Sequence, residues 1–163
     1  MGRQTRKTGM AVPTSAQVSV EVDAPPEVVY DLVADVTRMG EWSPECKRCE
    51  WKDTPGAVGS TFAGHNRRGL ARWSTVAKVL VADRPREFSF ATLFRGEPST
   101  KWSYRFEGDG PTTVTESFDS INAPWLIKLV ERFILPNRQA QLEAGMAQTL
   151  ARIKVAAEAA TAR

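Results

Sequence analysis

Two polar side chains fall on the apolar face of strand-like stretches, and their chemistry is considered first. Strict alternation groups Glu116 with Val114 and Phe118, and it groups Asn66 with Phe62. A carboxylate on a buried face is costly unless it is paired or hydrogen-bonded, and desolvation raises its pKa toward the range useful for proton transfer. Glu116 is therefore the first candidate for acid/base chemistry, with the structural alternative that it satisfies an arginine or a backbone group. Asn66 is suited to orienting a carbonyl or hydroxyl of a bound molecule.

A neighbouring stretch supplies aromatic rings and a phenol. Trp102, Tyr104 and Phe106 share one face of a strand, and the same parity places Phe88 with Phe90. The hydroxyl of Tyr104 can donate a hydrogen bond, which makes it the second acid/base candidate. The rings around it predict a mostly apolar surface.

His65 and the two cysteines offer weaker chemistry. His65 is the only histidine, the residue type that most often acts as a general base, but as the neighbour of Asn66 it is expected to point to the opposite, solvent side. Cys46 and Cys49 have C-x-x-C spacing, yet they lie in a loop running into a strand and not at a helix N-terminus. A zinc site would need two further ligands. We therefore expect ordinary strand residues here, with no metal and no cofactor.

Composition and charge limit the class of protein. The chain has 163 residues, 42% of them hydrophobic and 25% charged, as is typical of one globular domain, and its net charge is +3. The basic residues form no long stripe interleaved with aromatics, which argues against nucleic-acid binding. The longest uncharged apolar run, Ala123–Ile127, is too short to span a membrane, and the basic N-terminus lacks the apolar core of a secretory signal. We expect a cytoplasmic protein with a disordered tail at residues 1–14 and a single domain at residues 15–163.

The order of elements follows from periodicity and turn signals. Ser15–Val22 alternates as a half-buried strand, a helix is predicted from Pro26 to Ala34, and a second short helix over Asp35–Gly40 is expected to stop at Gly40. Strand-like segments separated by turn signals then follow. They are Cys46–Asp53, Ser60–Arg68, Arg72–Ala82, Glu87–Leu93, Thr100–Glu107 and Thr113–Ser120.

The C-terminal stretch Asn137–Ala160 predicts one long amphipathic helix, with Asn137 as its N-cap. The preceding helical stretch, Trp125–Leu135, is interrupted by Pro136. Gly145 lies in the middle of the apolar face at a cost of about 1 kcal/mol relative to alanine. The face either packs against a sheet or closes a ligand cavity.

Several short motifs occur in a characteristic order over residues 15–160. They are Ala24–Val28, Glu41–Pro44, Gly64–Gly69 followed by Trp73, Trp102-x-Tyr104-x-Phe106, and Thr115–Ser117. This ordered set resembles the SRPBCC superfamily, which includes START and Bet v 1-like proteins, and in particular its polyketide cyclase/dehydratase-like branch. The resemblance implies an α+β helix-grip fold: a curved antiparallel sheet of about seven strands wrapped around a long C-terminal helix, with two short helices after the first strand. It also implies a hydrophobic cavity between the sheet and the last helix.

Strand parity and the resemblance together predict which residues contact a ligand in that cavity. They are Phe62, Asn66, Phe88, Phe90, Trp102, Tyr104, Phe106, Glu116, Gly145 and Met146.

Three functions are compatible with these features. The first is binding of a small hydrophobic molecule, such as a lipid, polyketide or aromatic metabolite, in the internal cavity. The second is catalysis resembling that of polyketide cyclases and aromatases, with Glu116 and Tyr104 as acid/base groups. The third is an interaction module that uses the Trp125–Leu135 helix to bind another chain. A second copy of this chain, giving a homodimer, is one such partner. The sequence favours binding without catalysis and leaves the other two open.

Overall fold

The computed structural model describes residues 15–122, 125, 129 and 137–163. The tail predicted at residues 1–14 and most of the Trp125–Leu135 segment lie outside the described residues. Trp125 and Leu129 are described, and their side chains are 74% and 43% exposed. The interaction module built on this segment therefore stays a prediction.

Seven antiparallel strands form one curved sheet, as the sequence predicts. They are β1 (Ser15–Val22), β2 (Cys46–Trp51), β3 (Thr61–Arg68), β4 (Ala71–Asp83), β5 (Glu87–Phe94), β6 (Glu97–Gly108) and β7 (Thr112–Ser120). Their order across the sheet is β1-β7-β6-β5-β4-β3-β2, so the first strand pairs with the last and the remaining neighbours follow chain order. Short turns between consecutive strands enforce this meander.

Helices cover one face of the sheet. The described ones are α1 (Pro26–Ala34), a 3-10 turn (Val36–Arg38), α2 (Met39–Trp42) and α3 (Arg138–Thr161). Helix α3 packs against β1 and α1, and it buries the predicted apolar face. The buried residues of that face are Met146, Thr149, Leu150, Ile153 and Ala157. No helix in the described part of the chain has the length and apolarity needed to cross a membrane.

Two details of the helix ends differ from the sequence prediction. Helix α2 runs through Gly40 to Trp42, so Gly40 does not stop it. Asn137 precedes α3 in a left-handed conformation with φ 65°, and its side chain makes no capping hydrogen bond within the described residues. The expectation that Asn137 acts as a side-chain N-cap is therefore wrong, although the helix does begin directly after it.

A close approach between two backbone segments explains why a glycine occupies position 40. A Cβ built on Gly40 would clash with the carbonyl oxygen of Lys47, at the start of β2. A backbone carbonyl cannot swing aside as a flexible side chain can. The glycine therefore allows α2 to rest directly on β2.

Gly40→Ala should destabilise the protein by about 1–3 kcal/mol, because the extra methyl group forces two packed backbones apart. Urea denaturation followed by circular dichroism measures the change. Gly145→Ala is the matched control, because its Cβ would meet Pro44 Cγ at 3.5 Å, an ordinary contact, and alanine has the higher helix propensity. Equal unfolding midpoints for the two variants would contradict the close approach.

Candidate functional site

An internal space opens between the concave face of the sheet and helix α3. It has a volume of about 390 Å³, and we call it the inner cavity. Six of the residues predicted to contact a ligand line it. They are Phe62, Asn66, Phe90, Trp102, Tyr104 and Glu116. Arg138, Leu142 and Thr149 line it from the side of α3.

A larger and more open space of about 770 Å³, which we call the outer cleft, adjoins the inner cavity. Gly145 and Met146 line the outer cleft, opposite the segment from Ser43 to Lys47 and the β3–β4 turn. The two spaces share six lining residues. These are Ser43, Glu45, Trp102, Glu116, Leu142 and Thr149. The shared residues form the junction between the two spaces.

Phe88 and Phe106 lie away from both spaces. Phe88 is fully buried and Phe106 is 4% exposed, and their ring centroids lie 6.2 and 5.6 Å from the ring of Tyr30 on α1. Their parity is the predicted one, so both point inward. Helix α1 covers that end of the sheet, and the rings there fill the packed core instead of bordering open space.

Tyr104 and Glu116 form a buried pair. They are directly opposite each other in the register of β6 and β7, and the Tyr104 hydroxyl donates a hydrogen bond of 2.8 Å to Glu116 Oε1. Their side chains are 5% and 3% exposed. Glu116 Oε2 is buried and has no hydrogen-bond partner among the residues that the structure describes. The hydrogen-bond partner of Glu116 is therefore Tyr104, and not the arginine or backbone group that the sequence analysis considered.

Burial decides the charge state of this pair. Desolvation raises the pKa of Glu116 to about 8, against the smaller lowering effect of the Tyr104 hydrogen bond. Burial and the neighbouring Glu116 raise the pKa of Tyr104 well above its ordinary value. Most Glu116 carboxyl groups are therefore protonated at pH 7. Because Oε1 accepts from Tyr104, Oε2 is the oxygen that carries the carboxyl proton.

Asn66 lies on the same wall with a loosely held amide. Its Nδ2 is 3.5 Å from the carbonyl oxygen of Gly64 and 3.4 Å from Thr75 Oγ1, both at the long limit of hydrogen bonding. A ligand oxygen could compete for this amide at little cost.

His65 lies on the outer face, which confirms the parity prediction. Its Nε2 is 3.2 Å from Glu50 Oε1 and its Nδ1 is 3.1 Å from Ser74 Oγ. The side chain is 42% exposed. His65 therefore contacts Glu50 and Ser74 at the surface and is not among the residues that line the cavity.

Cys46 and Cys49 both lie on the wall of the inner cavity. In a regular strand a spacing of three would put them on opposite faces. A register shift between Cys46 and Arg48 inserts a bulge, so both thiols point inward, with 3.2 Å between their sulfur atoms. The hydrogen bond from the Cys49 thiol lowers the pKa of Cys46, and the same interaction raises the pKa of Cys49.

The cysteines have one further sulfur neighbour. Cys49 Sγ lies 3.8 Å from Met39 Sδ of α2. Within residues 15–122 and 137–163, no group of three or more histidine, cysteine, aspartate or glutamate side chains is gathered closely enough to hold a metal ion.

Three charged residues at the junction were not singled out from the sequence. Arg138 Nη1 and Arg68 Nη1 lie 3.1 and 3.8 Å from the same atom, Glu45 Oε1. Alternation could have found Arg68, which shares its parity with Asn66. Helical spacing could have found Arg138, which lies one turn before Leu142 on the face of α3 that meets the cavity.

Comparison with known proteins agrees with this architecture. The solution structure of the Polyketide_cyc-like protein Cgl2372 from Corynebacterium glutamicum is 30% identical to this chain, covers 88% of it and 91% of its own length, and has a TM-score of 0.60. A search of the curated proteins found no match to the sequence.

Two more distant structures share the fold alone. The di-domain ARO/CYC StfQ from the steffimycin biosynthetic pathway is 12% identical with a TM-score of 0.71, covering 92% of this chain and 52% of its own. Ginseng major latex-like protein 151 from Panax ginseng is 12% identical with a TM-score of 0.64, covering 88% of this chain and 96% of its own.

The family whose description is "Polyketide cyclase / dehydrase and lipid transport" matches residues 13–158, which is most of the chain. Helix α3 and all seven strands lie wholly or almost wholly within that range. The chain therefore belongs to the polyketide cyclase / dehydrase and lipid transport family, within the SRPBCC superfamily that its motifs resemble.

Proposed function

We propose that the protein binds a small, mostly apolar molecule that carries a hydrogen-bond-accepting oxygen, and that it holds this molecule in the inner cavity. The observation that carries the proposal is the buried Tyr104–Glu116 pair, whose Oε2 has no described partner, set in an aromatic wall. An unmatched buried polar group costs about 1–3 kcal/mol. A ligand carbonyl or hydroxyl oxygen that accepts a hydrogen bond from the protonated Glu116 carboxyl recovers that cost.

The cavity and the comparisons support this class of ligand. A volume of about 390 Å³ is within the usual range of small-molecule pockets. Phe62, Phe90 and Trp102 offer aromatic rings to a flat or acyl body. The family description names polyketides and lipid transport, and the fold is shared with an ARO/CYC protein of a steffimycin pathway. Lipids, polyketides and aromatic metabolites with an oxygen function fit these features.

A neutral fluorescent probe tests the cavity directly. Nile red should bind the wild type, and aromatic ketones and lipids should displace it and raise the melting temperature. Thr149→Phe fills the junction and should weaken Nile red binding by at least about tenfold. Val155→Phe is the matched control, because Val155 is 68% exposed on the outer side of the same helix.

Circular dichroism establishes that each variant is folded, and Leu142→Trp at the junction serves if Thr149→Phe is not. Absence of any binding or thermal shift with the wild type would overturn the proposed function. Equal affinity for Nile red in the junction variants and in Val155→Phe would mean that Nile red binds outside the cavity.

The cysteine pair provides a second, independent readout of cavity occupancy. N-ethylmaleimide should alkylate Cys46 before Cys49, because the pKa of Cys46 is lowered while that of Cys49 is raised. Both thiols are at most 6% exposed and line the cavity, so a saturating ligand should slow their alkylation severalfold. Mass spectrometry of peptides from timed reactions measures both rates. Alkylation at the same rate with and without a ligand proven to bind would place that ligand elsewhere.

A second candidate function is proton-transfer catalysis on a bound carbonyl compound. It is favoured by the protonated Glu116 carboxyl, because a group with a pKa of about 8 exchanges protons readily near neutral pH. The test is exchange of the α-hydrogens of acetophenone for deuterium in heavy water, followed by NMR. Glu116→Gln should abolish any acceleration while Nile red binding persists. Acceleration that survives this substitution would remove Glu116 from the chemistry.

A further inference from the structure

Two guanidinium groups share one carboxylate at the junction of the inner cavity and the outer cleft. Arg138 Nη1 lies 3.1 Å from Glu45 Oε1, and Arg68 Nη1 lies 3.8 Å from the same oxygen. One carboxylate neutralises one guanidinium. The cluster formed by Arg68, Arg138 and Glu45, which we call the junction cluster, therefore keeps an excess positive charge.

Arg138 has a donor that the described residues leave unused. Its side chain is only 17% exposed, it lines the inner cavity, and its Nε is buried with no hydrogen-bond partner in the part of the chain that the structure describes. A guanidinium presents its N–H groups in a planar fork that suits two oxygen atoms of one anion. The described hydrogen bond to Glu45 uses Nη1 alone, and Nε lies on the other side of the fork without a described partner.

The surroundings of the junction cluster add positive charge. Lys47 and Arg67 line the outer cleft, and their described hydrogen bonds go to the backbone carbonyl oxygens of Pro44 and Gly69. Among the described residues, those that are charged and line the two spaces are four cations, Lys47, Arg67, Arg68 and Arg138, against Glu45 and the largely protonated Glu116. A concave site with charge of one sign attracts a ligand of the other.

Another part of the wall of the inner cavity is apolar. Phe62 and Phe90 lie on the wall of the inner cavity, with ring centroids 5.1 Å apart. A ligand that spans from this wall to the junction cluster therefore meets hydrocarbon at one end and guanidinium groups at the other.

We propose that the ligand is an amphiphile whose oxyanion head group, a carboxylate or a phosphate, binds Arg138 and Arg68 at the junction while its apolar body occupies the inner cavity. This inference rests on the proposed function, because it specifies the ligand of the same cavity. The head group completes the fork that Glu45 leaves half filled. The apolar body excludes water from the pair and strengthens it.

A matched set of decyl compounds tests the head group. Decanoate, decyl phosphate, decanol and decyltrimethylammonium differ only in the polar end, and displacement of Nile red measures the affinity of each. At least one of the two anions should bind about tenfold or more tightly than decanol, and the cation should bind more weakly than decanol. Whichever anion binds more tightly identifies the head group. Raising the salt concentration should weaken the anion but not the alcohol.

Substitutions locate the effect. Arg138→Gln should abolish the preference for the anion over decanol. Arg68→Gln, which serves if Arg138→Gln is unfolded, should reduce that preference. Arg105→Gln is the control, because Arg105 is 65% exposed and lies 3.7 Å from Glu87, away from both spaces.

The outcomes separate the two levels of the proposal. If decanol and the anions displace Nile red equally well, the cavity binds apolar molecules and the head-group inference is wrong. If none of the compounds binds, the proposed function itself fails. An anion preference that Arg138→Gln and Arg68→Gln leave intact would also overturn the assignment to the junction cluster.

Discussion

Glu116→Gln should make the protein more stable than the wild type at alkaline pH and leave the two nearly equal at mildly acidic pH. The pKa of Glu116 is about 8 in the folded protein, against an ordinary value of 4.5. Between these values the folded state holds a proton that the unfolded chain has released. The free energy of unfolding of the wild type therefore falls as pH rises through this window, by roughly 1.4 kcal/mol per pH unit.

The sign follows from the direction of the shift. A carboxyl whose pKa is raised by folding contributes its full stability below the unfolded pKa, and that contribution is lost by the folded pKa. The whole window amounts to something on the order of 5 kcal/mol. Glutamine cannot ionise, and its amide oxygen can still accept the hydrogen bond from Tyr104. The variant is thus expected to lose this part of the pH dependence and nothing else.

Urea denaturation of both proteins at several values between about pH 5 and about pH 9 measures the effect. Glu107→Gln is the matched control, because Glu107 is an exposed glutamate on the same strand as Tyr104. Its curve should run parallel to that of the wild type. If the Glu116→Gln curve does so as well, Glu116 is ionised in the folded protein at neutral pH, and the role given to its proton is wrong.

The loss of stability that the buried Glu116 carboxyl causes as it ionises bears on function. A glutamine or an apolar residue of similar size at this position would avoid the ionisation penalty and leave the fold intact. The sheet instead keeps a carboxyl at the junction of the inner cavity and the outer cleft. Such an arrangement is easier to explain by a ligand that uses the carboxyl than by stability, which supports the proposed function.

The sequence could predict which side chains of this site face inward, because strand parity determines it. The two-residue period is imposed by backbone geometry, so Tyr104, Glu116 and Asn66 had to share the inner face once their strands were recognised. The bounds of β1 and α1 were predicted to the residue, because alternation and the Pro25-Pro26 pair mark them sharply. His65 was placed on the outer face by the same rule.

The rest depended on contacts that no local pattern encodes. The inward turn of both Cys46 and Cys49 requires a bulge, and that bulge lies where Lys47 meets Gly40. The junction cluster joins Glu45 to Arg138 across 93 positions of sequence. Neither the bulge nor that pairing can be read from periodicity, because both arise when distant segments are packed together.

Phe88→Ala should cost about twice as much stability as Phe90→Ala, although the two residues lie on one face of β5, two positions apart. Phe88 is fully buried with its ring edge-on to Tyr30, so truncation removes its contacts and leaves a closed void, at roughly 4 kcal/mol. Phe90 already borders the inner cavity. Its truncation enlarges an existing space, so the cost approaches the transfer free energy of the ring alone, roughly 2 kcal/mol.

Ligand binding should show the opposite ranking. Phe90→Ala removes part of the aromatic wall, so Nile red affinity should fall, whereas folded Phe88→Ala should bind as the wild type does. Urea denaturation gives the stabilities, and Nile red titration at low temperature gives the affinities. Equal stability losses would mean that Phe90 is as closely packed as Phe88 and that the inner cavity does not extend to it. If Phe88→Ala weakened binding more than Phe90→Ala, the bound molecule would lie against α1, at the end of the sheet that the packed rings now fill.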